Sequence, residues 1–505
     1  MLPPIIESAV EGLLLVFSWP NILYPVVGTL LTMGFAFMPG LGGTTLMALL
    51  IPLTFNWEPL PTVLLFGALM GGSTFMGSVT AILFNVPGAT PNAATMLDGH
   101  PMARQGHART AIGSAATSSA LGSTFGILVL VLTMPLLRRA ILAFGPAEFV
   151  MLAVWGLTTV AVVSRGSTLK GLAAGGLGLV MATVGADART AELRYTFGSL
   201  YLVDGLSLIP VAVGLFALAE TIDLMVTGRR TISGKTRLEE LGGSLREGVR
   251  ESLRNVGLLL RCSVIGTLIG IIPGTGGTVA SFVAYGHAAR SGRGEGPEFG
   301  EGNVRGVIAP EAANDAKDGG SLLPTLAFGI PGSTGTALLL VALTVHGLVP
   351  GRQLVTDNLS LVFALIWSLF LANWITSLLG VAAVNPLARL TVLRTRLLVP
   401  VILMLASAGA CAYRGRVADI YLAFACGIVG YLMKKHDWPR IPVIIALVLG
   451  PLFEANFHIT LRLHRLGRVS FWHRPIAMLL LALTVFSLLA PLWRRWLGRM
   501  LREEG

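Results

Sequence analysis

Gly266-Thr-Leu-Ile-Gly-Ile-Ile-Pro-Gly-Thr-Gly-Gly-Thr278 opens the stretch that decides the fold. It continues through Ala309-Pro-Glu-Ala-Ala-Asn-Asp315 and closes with Gly319-Gly-Ser-Leu-Leu-Pro-Thr-Leu-Ala-Phe-Gly-Ile-Pro-Gly-Ser333. Pro-Gly interrupts it twice, each time inside a segment apolar enough to enter a membrane. A membrane helix tolerates such a break only where protein groups or trapped water satisfy the freed backbone. The same grammar occurs near the start of the chain. There Pro39-Gly40-x-Gly42-Gly43-Thr44 pairs with Pro273-Gly274-x-Gly276-Gly277-Thr278, and Asn85-x-Pro87-Gly88 pairs with Gly329-x-Pro331-Gly332. Gly71-Gly-Ser73 corresponds to Gly319-Gly-Ser321. A lone Pro-Gly would be read as a packing or turn device. A pattern present twice, each copy followed by a second break, points instead to a site formed by interrupted helices of two repeated halves.

Composition bounds the class. Of 505 residues, 53% are hydrophobic and 12% charged, and the mean hydropathy is +0.74. Soluble domains carry about 25% charged residues. Several uncharged runs, such as Ala111 to Leu137 and Leu361 to Asn385, exceed the roughly 20 residues that a spanning helix needs. The expected fold is an all-α polytopic membrane protein of roughly 12–14 hydrophobic segments, half-helices or re-entrant hairpins included, in two internal repeats of inverted topology.

The formal net charge of +11 does not signal nucleic acid. The first Lys or Arg is Arg104, and basic residues gather in short loops and at the C-terminus, as the positive-inside rule requires. No nucleic-acid signature accompanies them. Cys262, Cys411 and Cys426 lie far apart in or beside apolar segments and read as packing residues. No basic n-region precedes the first apolar stretch, so no cleavable signal peptide is expected.

In chain order, residues 1–226 form the first transmembrane half, with a span over 9–38 and a half-membrane helix from Leu46 to Phe55. Thr44 and Thr45 are placed to N-cap that helix. Glu148, Asp204, Glu220 and Asp223 lie near span ends. Residues 227–254 alternate Arg and Glu and form a cytoplasmic polar linker, in part an interfacial helix. Residues 255–505 form the second half with its C-terminal helices. Arg494, Arg495, Arg499 and Arg502 put the C-terminus in the cytoplasm.

These motifs together resemble the large membrane subunit of the tripartite tricarboxylate transporters, the TctA family. The carriers are Pro39-Gly-Leu-Gly-Gly43, Gly71-Gly-Ser73 with Ala81-Ile-Leu-Phe-Asn-Val-Pro-Gly88, and Asp98-Gly-His-Pro-Met-Ala-Arg-Gln-Gly106. Further along they are Tyr195-Thr-Phe-Gly198, Ile272-Pro-Gly-Thr-Gly-Gly277, Ala309-Pro-Glu-Ala-Ala-Asn314, Gly329-Ile-Pro-Gly332 and Leu449-Gly-Pro-Leu-Phe-Glu454. The resemblance implies carboxylate uptake across the bacterial cytoplasmic (inner) membrane, driven by Na⁺ or H⁺ symport. It implies two partners, a small four-helix membrane subunit and a periplasmic solute-binding protein. It implies no cofactor beyond the coupling ion.

An anionic substrate meets an oddity here. No Lys or Arg occurs from 1 to 103, from 262 to 289 or from 318 to 351. The anion must then be held by backbone N–H groups and hydroxyls where half-helix dipoles are positive. The candidates are Gly40, Gly42, Gly43, Thr44, Thr45, Ser73 and Gly88 in the first half. In the second they are Gly274, Gly276, Gly277, Thr278, Ser321, Gly332 and Ser333. Carbonyls around Asn85, Val86 and Pro87 and around Gly329, Ile330 and Pro331, with the Asn85 and Asn314 side chains, are the candidate Na⁺ ligands. Other classes fit less well. An enzyme would need His-Glu-x-x-His or a Gly-x-Ser-x-Gly elbow, and neither is present. A carrier acting without a binding protein, or a channel, remains the alternative; a channel needs no doubled half-helices.

Overall fold

The computed structural model describes residues 2–38, 42–163, 167–187, 190–227, 242–291, 296–383, 395–466 and 473–503. Among these the only strands are β1 (Gly185–Ala186) and β2 (Leu193–Arg194), paired antiparallel. Everything else regular is helical.

The run over 9–38 is split into α1 (Leu2–Phe17) and α2 (Leu23–Ala36). Pro20, in the joint, lacks the N–H that a continuous helix would use. Then come α3 (Gly43–Thr54), α4 (Pro59–Phe84), α5 (Asn92–Arg104), α6 (Ala108–Ala143), α7 (Pro146–Val163) and α8 (Thr168–Ala182). After the small hairpin, α9 (Leu200–Val203) leads to α10 (Leu208–Ala212), a π-helical stretch at Val213–Leu218, and α11 (Ala219–Thr227). The second part begins with α12 (Leu245–Arg254), α13 (Val256–Ile271), α14 (Gly276–Ser291), α15 (Arg305–Phe328) and α16 (Thr334–Val345). It ends with α17 (Arg352–Asp357), α18 (Leu359–Ala382), α19 (Thr395–Arg414), α20 (Val417–Lys435), α21 (Ile441–Arg465) and α22 (Pro475–Glu503).

Six of the described helical segments are long and apolar enough to cross a membrane, and seven shorter apolar helices accompany them. This agrees with the expected 12–14 segments, half-helices included, and the chain is a multi-pass membrane protein. The polar linker is helical from Leu245 to Arg254, and α12 meets α13 at a bend of 76°. Residues 228–241 of that linker lie outside the described residues.

Helix α15 sits at the centre, with every residue from Arg305 to Ala327 buried. Small residues bring its neighbours close. Gly122 and Gly126 of α6 lie against the backbone of Ala312 and Ala316, and Gly266 and Gly270 of α13 against that of Ala313 and Lys317. A Cβ at any of the four glycines would collide with a carbonyl oxygen. Without water to drive association, such contact surface is what holds membrane helices together. Helix α4 is gripped in the same way by α18. A Cβ on Gly67 would stand 2.8 Å from Leu365 O, and one on Gly71 2.7 Å from Leu369 O.

The acids near span ends are inter-helix clamps. Glu148 pairs with Arg474 at 2.9 Å, and Asp204 with Arg416 at 2.8 Å. Glu220 binds Lys434 at 2.5 Å and Arg440 at 2.8 Å, and Asp223 shares Lys434 at 2.8 Å. Another carboxylate pins a loop. Buried Asp98 accepts backbone N–H bonds from Gly300 (2.8 Å), Gly302 (3.0 Å) and Asn303 (2.8 Å), fastening the approach to α15 onto α5.

Candidate functional site: two helix breaks beside a buried polar helix

Helix α4 ends on Asn85 in the left-handed conformation (φ 56°, ψ 31°), and α15 ends on Gly329 in the same one (φ 69°, ψ 21°). A left-handed residue closes a helix, and a proline two residues later prevents its resumption. The glycines that follow are packing residues in both places. A Cβ on Gly88 would lie 2.5 Å from Gly77 Cα, and one on Gly332 would lie 2.6 Å from Ser321 Cβ.

Counted back from the two left-handed caps, Gly77 matches Ser321 and Ser73 matches Lys317. The two Gly-Gly-Ser triplets are therefore one helical turn out of register and are not equivalent positions. A second pair of contacts follows this register. Gly43 abuts the Ser73 side chain, and Gly277 abuts Lys317, with its Cβ position 2.7 Å from Lys317 Cε.

The remaining breaks close against these. The Gly276 N–H donates to Gly332 O at 3.2 Å, stitching the start of α14 to the break before α16. The built Cβ of Gly42 lies 3.8 Å from Gly88 O, the corresponding approach. One contact joins the two parts of the chain directly. The hydroxyls of Thr90 and Thr278 are 3.0 Å apart, and Pro91 packs on Gly277.

Other candidates sit as follows. Gly40 lies outside the described residues. Thr44 and Thr45 do not N-cap α3: the helix begins at Gly43, Gly42 is its N-cap, and no side chain caps it. The glycine pair allows the helix to start earlier than the threonines. Thr278 likewise sits inside the first turn of α14. Gly274 (φ +77°) and Gly276 (φ +63°) hold left-handed backbone that a side chain would oppose. Ser73 and Ser321 donate to carbonyls of their own helices, Met70 O and Asp318 O, each at 3.1 Å. Ser333 is a true N-cap, sharing a capping box with Thr336.

The ion-ligand candidates do not form one cluster. Asn85 and its neighbours Val86 and Pro87 end α4 on an exposed or half-buried rim. Asn314 is buried in mid-α15, where a Cβ on Gly277 would strike its amide oxygen. Gly329, Ile330 and Pro331 are buried, and Ile330 O already accepts from Thr325 Oγ1 at 3.4 Å.

The sequence reading placed none of four charged residues of α15 among its site candidates. Glu311, Asp315 and Asp318 lie on one helical stripe at i, i+4 and i+7, and each is at most 3% exposed. Lys317, 8% exposed, pairs with Asp318. The absence of Lys and Arg from 318 to 351 is correct as a count, but the cation stands one residue before that window. The i, i+4, i+7 spacing was the available signal.

A helical multi-pass protein with two interrupted segments closing on each other and charged residues buried in its central helix belongs to the class of polytopic transport proteins. The particular family follows from comparison. Residues 22–445 match the profile of the tripartite tricarboxylate transporter TctA family, and the chain belongs to that family. It is a transporter family, not an enzyme family, and its members are the large subunits of tripartite transporters. The chain is 32% identical over 464 residues to an "Uncharacterized 52.8 kDa protein in TAR-I ttuC' 3'region" of Agrobacterium vitis, covering 92% of this chain and 91% of that one. It is 30% identical over 228 residues to an "Uncharacterized protein in TAR-II ttuC' 3'region" of the same organism, covering 45% of this chain and 93% of that one. No solved structure matches.

Proposed function

We propose that this chain takes up a carboxylate anion across the bacterial cytoplasmic membrane by Na⁺ or H⁺ symport. It works with a small four-helix membrane subunit and a periplasmic solute-binding protein. Residues 1–226 and 255–505 act as two inverted transmembrane halves joined by the cytoplasmic linker 227–254. The C-terminus is cytoplasmic. The observation that carries this reading is the Thr90–Thr278 contact, where one half's break meets the other half's half-helix. The anion binds there, at the N-termini of α3, α14 and α16, where backbone N–H groups and helix dipoles favour negative charge. Lys317, ion-paired with Asp318, lays its side-chain stem against Gly277. Because each half supplies one wall, a rocking motion of one against the other opens the site to alternate sides.

The test is uptake of labelled citrate and smaller dicarboxylates into membrane vesicles, with and without the binding protein and with each ion gradient collapsed in turn. Uptake should need the binding protein and one gradient. Gly277→Val, which drives a side chain into Asn314 and Lys317, should abolish uptake at normal protein level. Full-rate uptake by the chain alone overturns the binding-protein requirement. Failure of labelled substrate to exchange in counterflow would favour a channel.

A further inference from the structure

Helix α15 carries more buried acid than base. Lys317 is committed to Asp318, which leaves Glu311 and Asp315 without a paired cation among the described residues. Glu311 turns Oε1 to two hydroxyls, Ser78 of α4 at 2.5 Å and Thr95 of α5. Its Oε2 has no hydrogen-bond partner. Both carboxylate oxygens of Asp315 are buried and unpartnered, as are the hydroxyls of Ser119 and Ser123 on α6. Ser119 faces Asp315 without closing a hydrogen bond of ordinary geometry. The α6–α15 contact is dense on both sides of it, through Gly122 and Gly126, so the unpartnered oxygens are enclosed by packed helices.

The charged groups that bear on Asp315 are Glu311, Asp318 and Lys317 of its own helix, while Arg305 opens that helix ahead of Glu311. On the elements packed against α15, Asp98 of α5 and Tyr285 of α14 are bonded to each other at 2.9 Å, at the level of Gly306. His100 of α5 contacts Ile82 O at 3.0 Å, and Cys262 of α13 is buried. Helices α4 and α6 bring hydroxyls to this level. Two buried carboxylates one helical turn apart, with three of their four oxygens unpartnered and no paired cation among the described residues, cannot both persist as ions. Something positive must sit with them. An anionic substrate would be repelled, so the occupant is a cation.

We propose that Glu311 and Asp315, with the hydroxyls of Ser78, Thr95, Ser119 and Ser123, form the binding site of the monovalent cation, Na⁺ or H⁺, that couples transport. The inference rests on the symport reading but moves the cation from the breaks to the centre of α15. Asp315 adjoins Asn314, against which Gly277 packs, so a cation here also attracts an anion held at the start of α14.

The test needs no substrate. The purified full-length chain is assayed for saturable binding of radiolabelled Na⁺, with K⁺ and choline as controls. In parallel, dicyclohexylcarbodiimide, which modifies protonated carboxyls in apolar surroundings, is applied from acid to alkaline pH and its sites are mapped by mass spectrometry. Saturable Na⁺ binding that protects Glu311 and Asp315 from the reagent identifies Na⁺. Labelling of these two residues that falls with rising pH whatever the Na⁺ identifies H⁺. Ser119→Ala, which keeps both carboxylates and the helix contact, should weaken Na⁺ or shift the labelling midpoint by about tenfold in concentration. Asp315→Asn should abolish both effects. Absence of labelling at both residues at every pH together with no Na⁺ binding, or Na⁺ binding equal in wild type and Asp315→Asn, overturns the proposal. Loss of carboxylate uptake with intact cation binding would instead overturn the substrate reading and leave this site standing.

Discussion

Helices α4 and α15 end alike and are built from opposite chemistry. Both close on a left-handed residue, both are followed by Pro-Gly, and both are almost wholly buried. At matching distances before their caps, α4 has Gly67, Gly71 and Ser73 where α15 has Glu311, Asp315 and Lys317. In α4 the glycines expose backbone to α18, and association rests on close contact and on one hydrogen bond from Ser368 Oγ to Leu64 O at 2.5 Å. In α15 the contact glycines are shared, its own Gly319 and Gly320 with those of α6 and α13, and the carboxylates at 311, 315 and 318 lie along a separate stripe of the helix. Helix α4 carries no charged residue. The other holds charge that must be neutralised.

The sharpest way to break this contrast is to move a carboxylate across it. Gly71→Asp puts a Cβ 2.7 Å from Leu369 O and 2.8 Å from Asn373 Nδ2, and buries an unpaired charge. The expected cost exceeds about 4 kcal/mol, and no monodisperse protein should survive detergent extraction in fluorescence-detected size exclusion. A normal peak would mean that α4 tolerates acid as α15 does.

A smaller effect separates charge from packing within α15. Lys317→Met leaves Asp318 buried without its partner and should lower stability by about 3 kcal/mol, read as a fall in Tm. The double variant Lys317→Met with Asp318→Leu should recover most of that loss, because an apolar pair of similar volume replaces the ions. Equal Tm values for the single and double variants would show that Lys317 acts by shape. The smallest effect compares the two half-helix starts. Thr278→Val removes the hydroxyl contact to Thr90 and should cost about 1 kcal/mol of stability. Thr44→Val, whose hydroxyl makes no hydrogen bond among the described residues, should leave Tm unchanged. Equal losses would mean that the halves are joined at both breaks.

Much of this is legible in the sequence alone. The breaks at Pro87-Gly88 and Pro331-Gly332 could be read because proline and glycine act on their own backbone. The short length of α3 followed in the same way from the break at Pro39-Gly40, whereas α16 was not separated from the span before it. Ser333, as a helix N-cap, has the residue type the position favours. The threonine caps were misplaced because Gly42 and Gly43 let the helix begin earlier, a choice that side-chain preference does not decide. The Gly-Gly-Ser triplets looked equivalent because motif matching ignores helical register.

Helix α15 shows where local reading stops. Its charges lower its average hydropathy, so nothing in the window marks it as a helix buried from Arg305 to Ala327. Its own Gly319 and Gly320 meet a glycine of α6 and a threonine of α13, elements that the sequence does not mark as its neighbours. By itself the sequence determined membrane insertion, the helical class, the positions of the breaks and the family, since each depends on residue type within a short window. Only the tertiary structure decided which break faces which, that Lys317 stands beside Gly277, and that Asp315 is enclosed without a partner. Those facts depend on which distant helices supply the neighbours, and burial is a property of neighbours.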